Sequence, residues 1–388
     1  MPAFDPAHPV LDLTESSVVL TQQICDVESV SGDETLLADA IVAALADAGH
    51  LEIFRDGDTI VARTNLGRAQ RVAIAGHIDT VPLNANLPTR YETIDGVDYL
   101  WGRGTADMKA GTAVQLKLAA ELVAPTVDIT WMWYDHEEVS NELNGLTRLA
   151  ANRPDLFAAD FAILGEPSNS QIEGGCNGNL RAEIRAYGLR AHSARSWVGD
   201  NAIHKASGIL DTLANYQARE VEVDGLVYRE GLNAVGITGG VAGNVIPDEV
   251  MVHVNYRFAP SRSGQEAIAH IHELFPGFDI RIVDLAEGAR PGLDAPLAQR
   301  FLAAVGGVAK PKYGWTDVAR FSAMGVPAVN YGPGDPLKAH ADDERVSLQQ
   351  IVDCEAGLRA WLTAAGPAEP AAPATPATAE SAADPAAG

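Results

Sequence analysis

The sequence predicts an α/β fold: a mixed, mostly parallel sheet flanked by helices, interrupted by an inserted α+β unit of ferredoxin-like order. Three observations predict it. Short apolar runs alternate with helical periodicities from about residue 51 to 170, the pattern of a sheet with many parallel strands. Near residue 175 the strands begin to alternate apolar and polar, as strands with one solvated face do. After Gly292 the first pattern resumes. The expected organisation is a discontinuous unit of residues 1–176 and 290–365, an inserted unit of 177–289, and an Ala/Pro-rich tail of 366–388. The tail has no apolar residue larger than Ala and is expected to be disordered.

In chain order, residues 14–50 carry two helical periodicities, broken at Ser31-Gly32-Asp33-Glu34, where Ser31 and Glu34 have the form of a capping box. Strands are expected at 51–54, 58–63 and 71–77, and residues 83–100 read as loop. A helix should run from Asp107 through Leu122 and stop by Pro125. Next come a strand at 128–134, with Trp131 and Trp133 as sheet packing, a helix at 143–151 and a strand at 160–164. Within 177–289 the expected order is strand 180–187, helix 202–216, strands 234–238 and 249–259, helix 264–274 and strand 279–285, the ferredoxin-like β-α-β-β-α-β succession. Helix 295–305, strand 326–331 and helix 346–364 complete the chain.

Composition narrows the function classes. The formal net charge of −24 argues against nucleic acid and anionic membranes as partners, since both call for basic patches. Cys25, Cys176 and Cys354 are odd in number and far apart, so neither a disulfide framework nor a Cys-x-x-Cys clip is expected, and reduced thiols fit a cytoplasmic protein. Residues 1–13 lack the basic region of a signal peptide, and no apolar run approaches the roughly 18–20 residues of a membrane helix.

Polar residues stand where predicted strands end or helices begin. The strand at 71–77 runs into Gly76-His77-Ile78-Asp79-Thr80-Val81-Pro82. Alone, this His-x-Asp is also what a hydrogen-bonded core histidine looks like. Asp107, Glu137-Glu138 and Glu166 follow at intervals of about one β-α unit each, and His340 follows the last strand. Neighbouring strands would gather all of them at one sheet edge, where α/β folds place their chemistry. Carboxylates so crowded repel unless protonated or neutralised. Two divalent cations sharing one carboxylate neutralise them, with Asp107 the central candidate, and imidazole with carboxylate suits zinc, cobalt or manganese better than calcium or magnesium. In a turn, one member of Glu137-Glu138 can ligate while the other serves as a base.

These segments resemble the dizinc aminoacylase and carboxypeptidase family of metallohydrolases. The resemblance is carried by 76–82, by Gly102-Arg103-Gly104-Thr105-Ala106-Asp107-Met108-Lys109, by Glu137-Glu138, by Gly165-Glu166-Pro167-Ser168 and by His340. It extends through Ala191-His192-Ser193-Ala194-Arg195, residues 240–247 and Tyr256-Arg257. It implies a zinc-exopeptidase-like catalytic domain holding two zinc ions, with cobalt possible. His77 and Glu166 would hold one ion, Glu138 and His340 the other, and Asp107 would bridge them. Glu137 would be the general acid/base, and Asp79 would orient His77. The bond after Asp107 would be cis. The inserted domain would make a homodimer and carry His192 to the partner's active site as an oxyanion donor, whereas from the residues alone His192 is equally a turn or core histidine. Asn244 and Arg257 would bind a substrate carboxylate.

The implied reaction removes succinate from N-succinyl-LL-2,6-diaminopimelate, in lysine and diaminopimelate synthesis. Acetylornithine, another N-acyl amino acid or a carboxypeptidase substrate is the alternative. A metal-loaded amino-acid-binding protein without turnover is a reading of a different class, disfavoured because it has no use for Glu137. Asp317 falls in a segment that resembles the family near the active site, but Val318 departs from the commoner spacing and its role stays open. So does that of the glycine-rich turn at 174–179, a hinge or a source of N–H donors.

Overall fold

A computed structural model describes residues 4–364, so the tail expected to be disordered lies outside the described residues. The eight-stranded central sheet runs in the order Glu52–Asp56, Thr59–Arg63, Asp128–Tyr134, Arg71–His77, Phe161–Leu164, Ala328–Asn330, Glu173–Gly174, Lys310–Pro311. The four strands from Asp128–Tyr134 to Ala328–Asn330 are parallel. Their register puts His77 opposite Tyr134, and Leu164 opposite both Ala75 and Asn330. The chain therefore leaves these strands at one edge.

Successive residues of a strand face opposite sides, and each side of this sheet has its own core. Ile74, Ile129, Trp131 and Trp133 pack beneath helices Ser17–Asp26, Thr35–Leu45, Lys109–Glu121 and Leu348–Thr363. Ala73, Ala75, Met132 and Tyr134 face helices Gly145–Asn152 and Val318–Ala323. Each large apolar side chain so buried stabilises the fold by roughly 1.5–3 kcal/mol. Both tryptophans are core residues, at most 1% exposed.

Two local expectations are corrected. The capping box does not form. The Ser31 hydroxyl donates to Asp79 Oδ2 at 2.6 Å, and Glu34 accepts from the N–H groups of Gly32 and His136. Partners at the sheet edge outcompete the helix start, which has no side-chain cap. Residues 83–100 are not all loop either. Arg90–Ile94 and Val97–Trp101 form a hairpin through Asp95-Gly96, both at positive φ, and Arg345–Ser347 joins it as a third strand. Such Asp-Gly turns match the twist of paired strands. The side chains of Arg90–Thr93 are exposed, so the segment lacks the apolar signal of a buried strand.

Strands Gly178–Tyr187, Gly231–Gly239, Glu249–Phe258 and Asp279–Ala286 form a separate antiparallel sheet. With the first of them numbered one, the spatial order is 2-3-1-4, the ferredoxin-like arrangement. Its helices are Ala202–Lys205, Ser207–Ala214 and Gly264–Leu274. A second Asp-Gly hairpin, Glu220–Val223 with Leu226–Arg229, also escapes the sequence pattern. Among the described residues, no helix is long and apolar enough to cross a membrane.

Candidate metal centre and active-site cleft

The sheet edge gathers the predicted side chains. His77 ends its strand fully buried, and its Nε2 lies 3.1 Å from Asp107 Oδ1. His340 Nε2 lies 3.3 Å from Asp107 Oδ2 and 2.9 Å from Glu138 Oε1. His77, Asp107 and Glu166 offer donor atoms within 4.8 Å of one another, and so do Asp107, Glu138 and His340. These two groups of three share Asp107, and two imidazoles with three carboxylates are the donors a pair of borderline divalent cations prefers. The Asp107-Met108 peptide bond is cis, as the resemblance implies.

His77, Glu137 and Glu138 form a third such group. What separates the two glutamates is their partners. Glu138 is hydrogen-bonded to His340, whereas the Glu137 carboxylate makes no hydrogen bond among the described residues. Both glutamates donate their backbone N–H to the buried Asp79 carboxylate, at 3.1 and 3.0 Å. His77 Nδ1 is nearer the Asp79 carbonyl oxygen, at 3.0 Å, than its carboxylate, at 3.4 Å. Asp79 thus touches the His77 ring chiefly through its backbone, and its side chain holds the Glu137-Glu138 turn.

The electrostatics are those of crowded carboxylates. Burial pushes Glu137 well above its ordinary 4.5 despite the pull of His77, and repulsion from Glu166 and Glu138 adds to it. Burial, then the charge of Asp107, raises Glu166 to about 8. Burial works against ionising Asp107, but hydrogen bonds from His340 and His77 outweigh it and hold the carboxyl well below 3.8. Hydrogen bonds to Asp107 and Glu138 push His340 up to about 10. Carboxylates crowded in this way favour a neutralising partner, which divalent cations would provide.

Other predicted residues fall further away. Arg257 shares an adjoining cleft of about 890 Å³ with Asn179, Arg181, Glu138 and His340. His192 and Asn244 do not line it. They lie together elsewhere, where His192 pairs with Val245 and the Ser193 N–H donates to the Asn244 carbonyl. His192 is exposed, and its Nδ1 accepts the Ala194 N–H at 3.1 Å. One chain therefore brings Arg257, but not Asn244 or His192, to a cleft shared with its own candidate metal residues.

Asp317 is fully buried, accepts from the Tyr134 hydroxyl at 2.9 Å and from Asn144 Nδ2 at 3.1 Å, and pairs with Arg320. Its charge is one cause of the raised Glu137 pKa. In the turn at 174–179, the N–H groups of Cys176 and Asn177 donate to the carbonyls of Ala289 and Lys312, so they serve the crossing between sheets. Sequence reasoning missed Glu344, which accepts the N–H groups of Ala106 and Asp107 at 3.0 and 3.1 Å. It also missed Lys312 and Glu173, which line a cleft of about 340 Å³ over the centre. A lysine and a glutamate at the margins of short strands carry no motif.

Comparison with known proteins places the chain in a family. Residues 73–364 match the peptidase family M20/M25/M40. A putative succinyl-diaminopimelate desuccinylase of Mycobacterium tuberculosis is 52% identical over 356 residues, covering 91% of this chain and 99% of that protein. The succinyl-diaminopimelate desuccinylase of Corynebacterium glutamicum is 48% identical over 366 residues, covering 92% and 98%. A Staphylococcus aureus tripeptidase shares the fold at a TM-score of 0.74 and 19% identity, covering 91% of this chain and 98% of its own. So does a Bacillus subtilis protein described as a dinuclear metal-binding peptidase from the M20 family, at a TM-score of 0.64 and 15% identity, covering 89% and 96%. Since the family match spans every proposed metal ligand and both desuccinylases align over nearly their whole length, the chain belongs to the peptidase family M20/M25/M40.

Proposed function

We infer that the chain hydrolyses N-succinyl-LL-2,6-diaminopimelate to succinate and LL-2,6-diaminopimelate. The observation that carries amide hydrolysis is Glu137, a carboxylate without a hydrogen-bond partner among the described residues, grouped with His77 and Glu138 from the two donor groups that share Asp107. The choice of acyl group and amine rests on the two desuccinylases at 52% and 48% identity.

His77 and Glu166 would hold one cation and Glu138 and His340 the other, with Asp107 common to both; zinc suits these donors, and cobalt shares the preference. Bound there, the cations supply activation of water and polarisation of the amide carbonyl. Glu137 takes a proton from water as its oxygen adds to the carbonyl carbon. It returns that proton to the nitrogen as the C–N bond breaks, so the water oxygen stays in the new carboxyl group of succinate, and the second water proton passes from that carboxyl to the freed amine. Asp79 keeps Glu137 in place through the backbone of the turn. Arg257, which lines the adjoining cleft, would receive the succinyl carboxylate.

Residues 177–289 are proposed as a dimerisation domain within a catalytic domain made of 1–176 and 290–365. Strand Gly231–Gly239 lies at the edge of the four-stranded sheet and exposes Val235 and Ile237, at 65% and 54%. An apolar open edge of this kind is a template for a second copy. Dimerisation would give His192 and Asn244, remote from their own centre, a role in the partner's. Three buried, unpaired cysteines support a reducing, cytoplasmic location. The deciding assay presents the purified, zinc-loaded protein with succinyl-diaminopimelate, acetylornithine and a panel of N-acyl amino acids. Preference for the first is expected; preference for acetylornithine would overturn the substrate.

A further inference from the structure

Lys312 and Glu173 form a charged pair in the cleft over the metal centre, on elements that the metal residues do not use. Strands Glu173–Gly174 and Lys310–Pro311 pair in parallel, which brings Lys312 Nζ to 3.0 Å from Glu173 Oε2. Lys312 is only 6% exposed, and an ammonium is costly to bury unless paired. It donates to the Pro167 carbonyl at 2.7 Å and faces Glu173, so one of its three N–H groups is left over. Glu173 Oε2 has no hydrogen bond of good geometry among the described residues.

The charge around this pair is lopsided. Asp107, Glu137, Glu138, Glu166 and Glu173 line the cleft, and Lys312 and His340 are the cationic side chains among the described residues that do so. With His340 committed to the metal centre, Lys312 remains as a partner for an anionic group. Tyr313, Trp315 and Leu337 supply apolar walls that suit a methylene chain. An α-amino acid head carries a carboxylate and an ammonium about a hydrogen-bond length apart. Lys312 and Glu173 present the opposite charges at a matching spacing.

We propose that Lys312 and Glu173 form the subsite for the free α-amino acid head of the substrate, Lys312 taking its carboxylate and Glu173 its ammonium. The cleft then holds the amine half, while the acyl half lies towards Arg257. This deepens the substrate assignment above and rests on it.

Two analogues isolate the two charges. N2-succinyl-L-lysine lacks the distal carboxylate of succinyl-diaminopimelate, and N-succinyl-L-2-aminopimelate lacks its distal ammonium. The zinc-loaded wild-type protein should favour succinyl-diaminopimelate over each by about 10- to 100-fold in kcat/KM, the scale of one charged hydrogen bond. Lys312→Gln should lose the preference over succinyl-lysine, mainly through KM, and keep its metal content. Lys312→Arg should retain most of that preference. Glu173→Gln should lose the preference over succinyl-aminopimelate. Calorimetric binding of LL-diaminopimelate should weaken by about 10-fold or more in Lys312→Gln. Variants that slow all three substrates equally, or that shed metal because Lys312 only anchors Pro167 beside Glu166, overturn the subsite while the substrate assignment stands. A wild-type protein inactive on succinyl-diaminopimelate overturns the substrate assignment itself, and the subsite with it.

Discussion

The Arg103 guanidinium meets the Glu344 carboxylate at 2.6 Å, with both side chains at most 4% exposed. The second Glu344 oxygen accepts the N–H groups of Ala106 and Asp107. Because Arg345–Ser347 pairs with Val97–Trp101, this contact locks the loop of Asp107 to the loop of His340. Two proposed metal ligands far apart in sequence are thereby held by one ion pair.

Removing one partner of a buried pair leaves the other charge uncompensated. Glu344→Ala should therefore cost about 3–5 kcal/mol of stability. Metal affinity should fall as well, since Asp107 loses its backbone anchors. Urea unfolding and metal content would check both. A variant with wild-type stability and two metals per chain would show that the pair is dispensable.

Glu137→Gln keeps the shape of the side chain but cannot take a proton. It should retain its metals and lose at least about 10²-fold in kcat, the lower scale of general-base catalysis. Activity within a few-fold of wild type, with the metals in place, would exclude the proton path through Glu137.

The metal-free protein should lose stability as pH rises. Glu166 is raised from 4.5 to about 8 and His340 from 6.5 to about 10. Each raised group stabilises the fold fully below its ordinary value and loses that contribution as pH climbs through the raised one. The windows are 4.5 to 8 and 6.5 to 10, so the steepest fall should lie where they overlap. Asp107, held low, contributes above 3.8 and loses that only in acid. Cations take the place of these protons, so metal binding should release protons and flatten the fall. Melting temperatures with and without chelator across this range test it; a metal-free protein that gains stability towards pH 8 would contradict it.

Ile237→Lys puts a charge on the exposed edge strand Gly231–Gly239. It should turn a dimer into a monomer by light scattering. If His192 serves the partner's site, activity should fall in parallel by about 10²-fold or more, as when an oxyanion-hole donor is removed. A fully active monomer would leave His192 with no role in trans.

Much of the centre could be read from the sequence because its physics is local. His77, Glu137-Glu138 and Glu166 follow runs apolar enough to be buried strands, so their place at strand ends could be read along the chain. Asp79 could be read only in part. Its hydrogen bonds to the Glu137-Glu138 turn and to Ser31 depend on which strand lies beside which.

Glu344 shows the limit. It ends an acidic run, Asp342-Asp343-Glu344, that looks like a solvated face, and it alone of the three is buried. The hairpin that turns it inward was signalled by Asp95-Gly96, but its solvated strands lack the period that marks a buried sheet. Lys312 and Glu173 likewise meet only through the pairing of two short strands.

The parallel sheet, its ferredoxin-like insertion and the residue types of the candidate metal edge can be read along the chain, because burial and strand ends are written in hydrophobic period. Tertiary pairing sets which carboxylate meets which histidine, which glutamate lacks a hydrogen bond among the described residues, and which buried ions hold the loops of Asp107 and His340. Those contacts join residues up to 241 positions apart, as in Arg103 and Glu344, and no local preference encodes them.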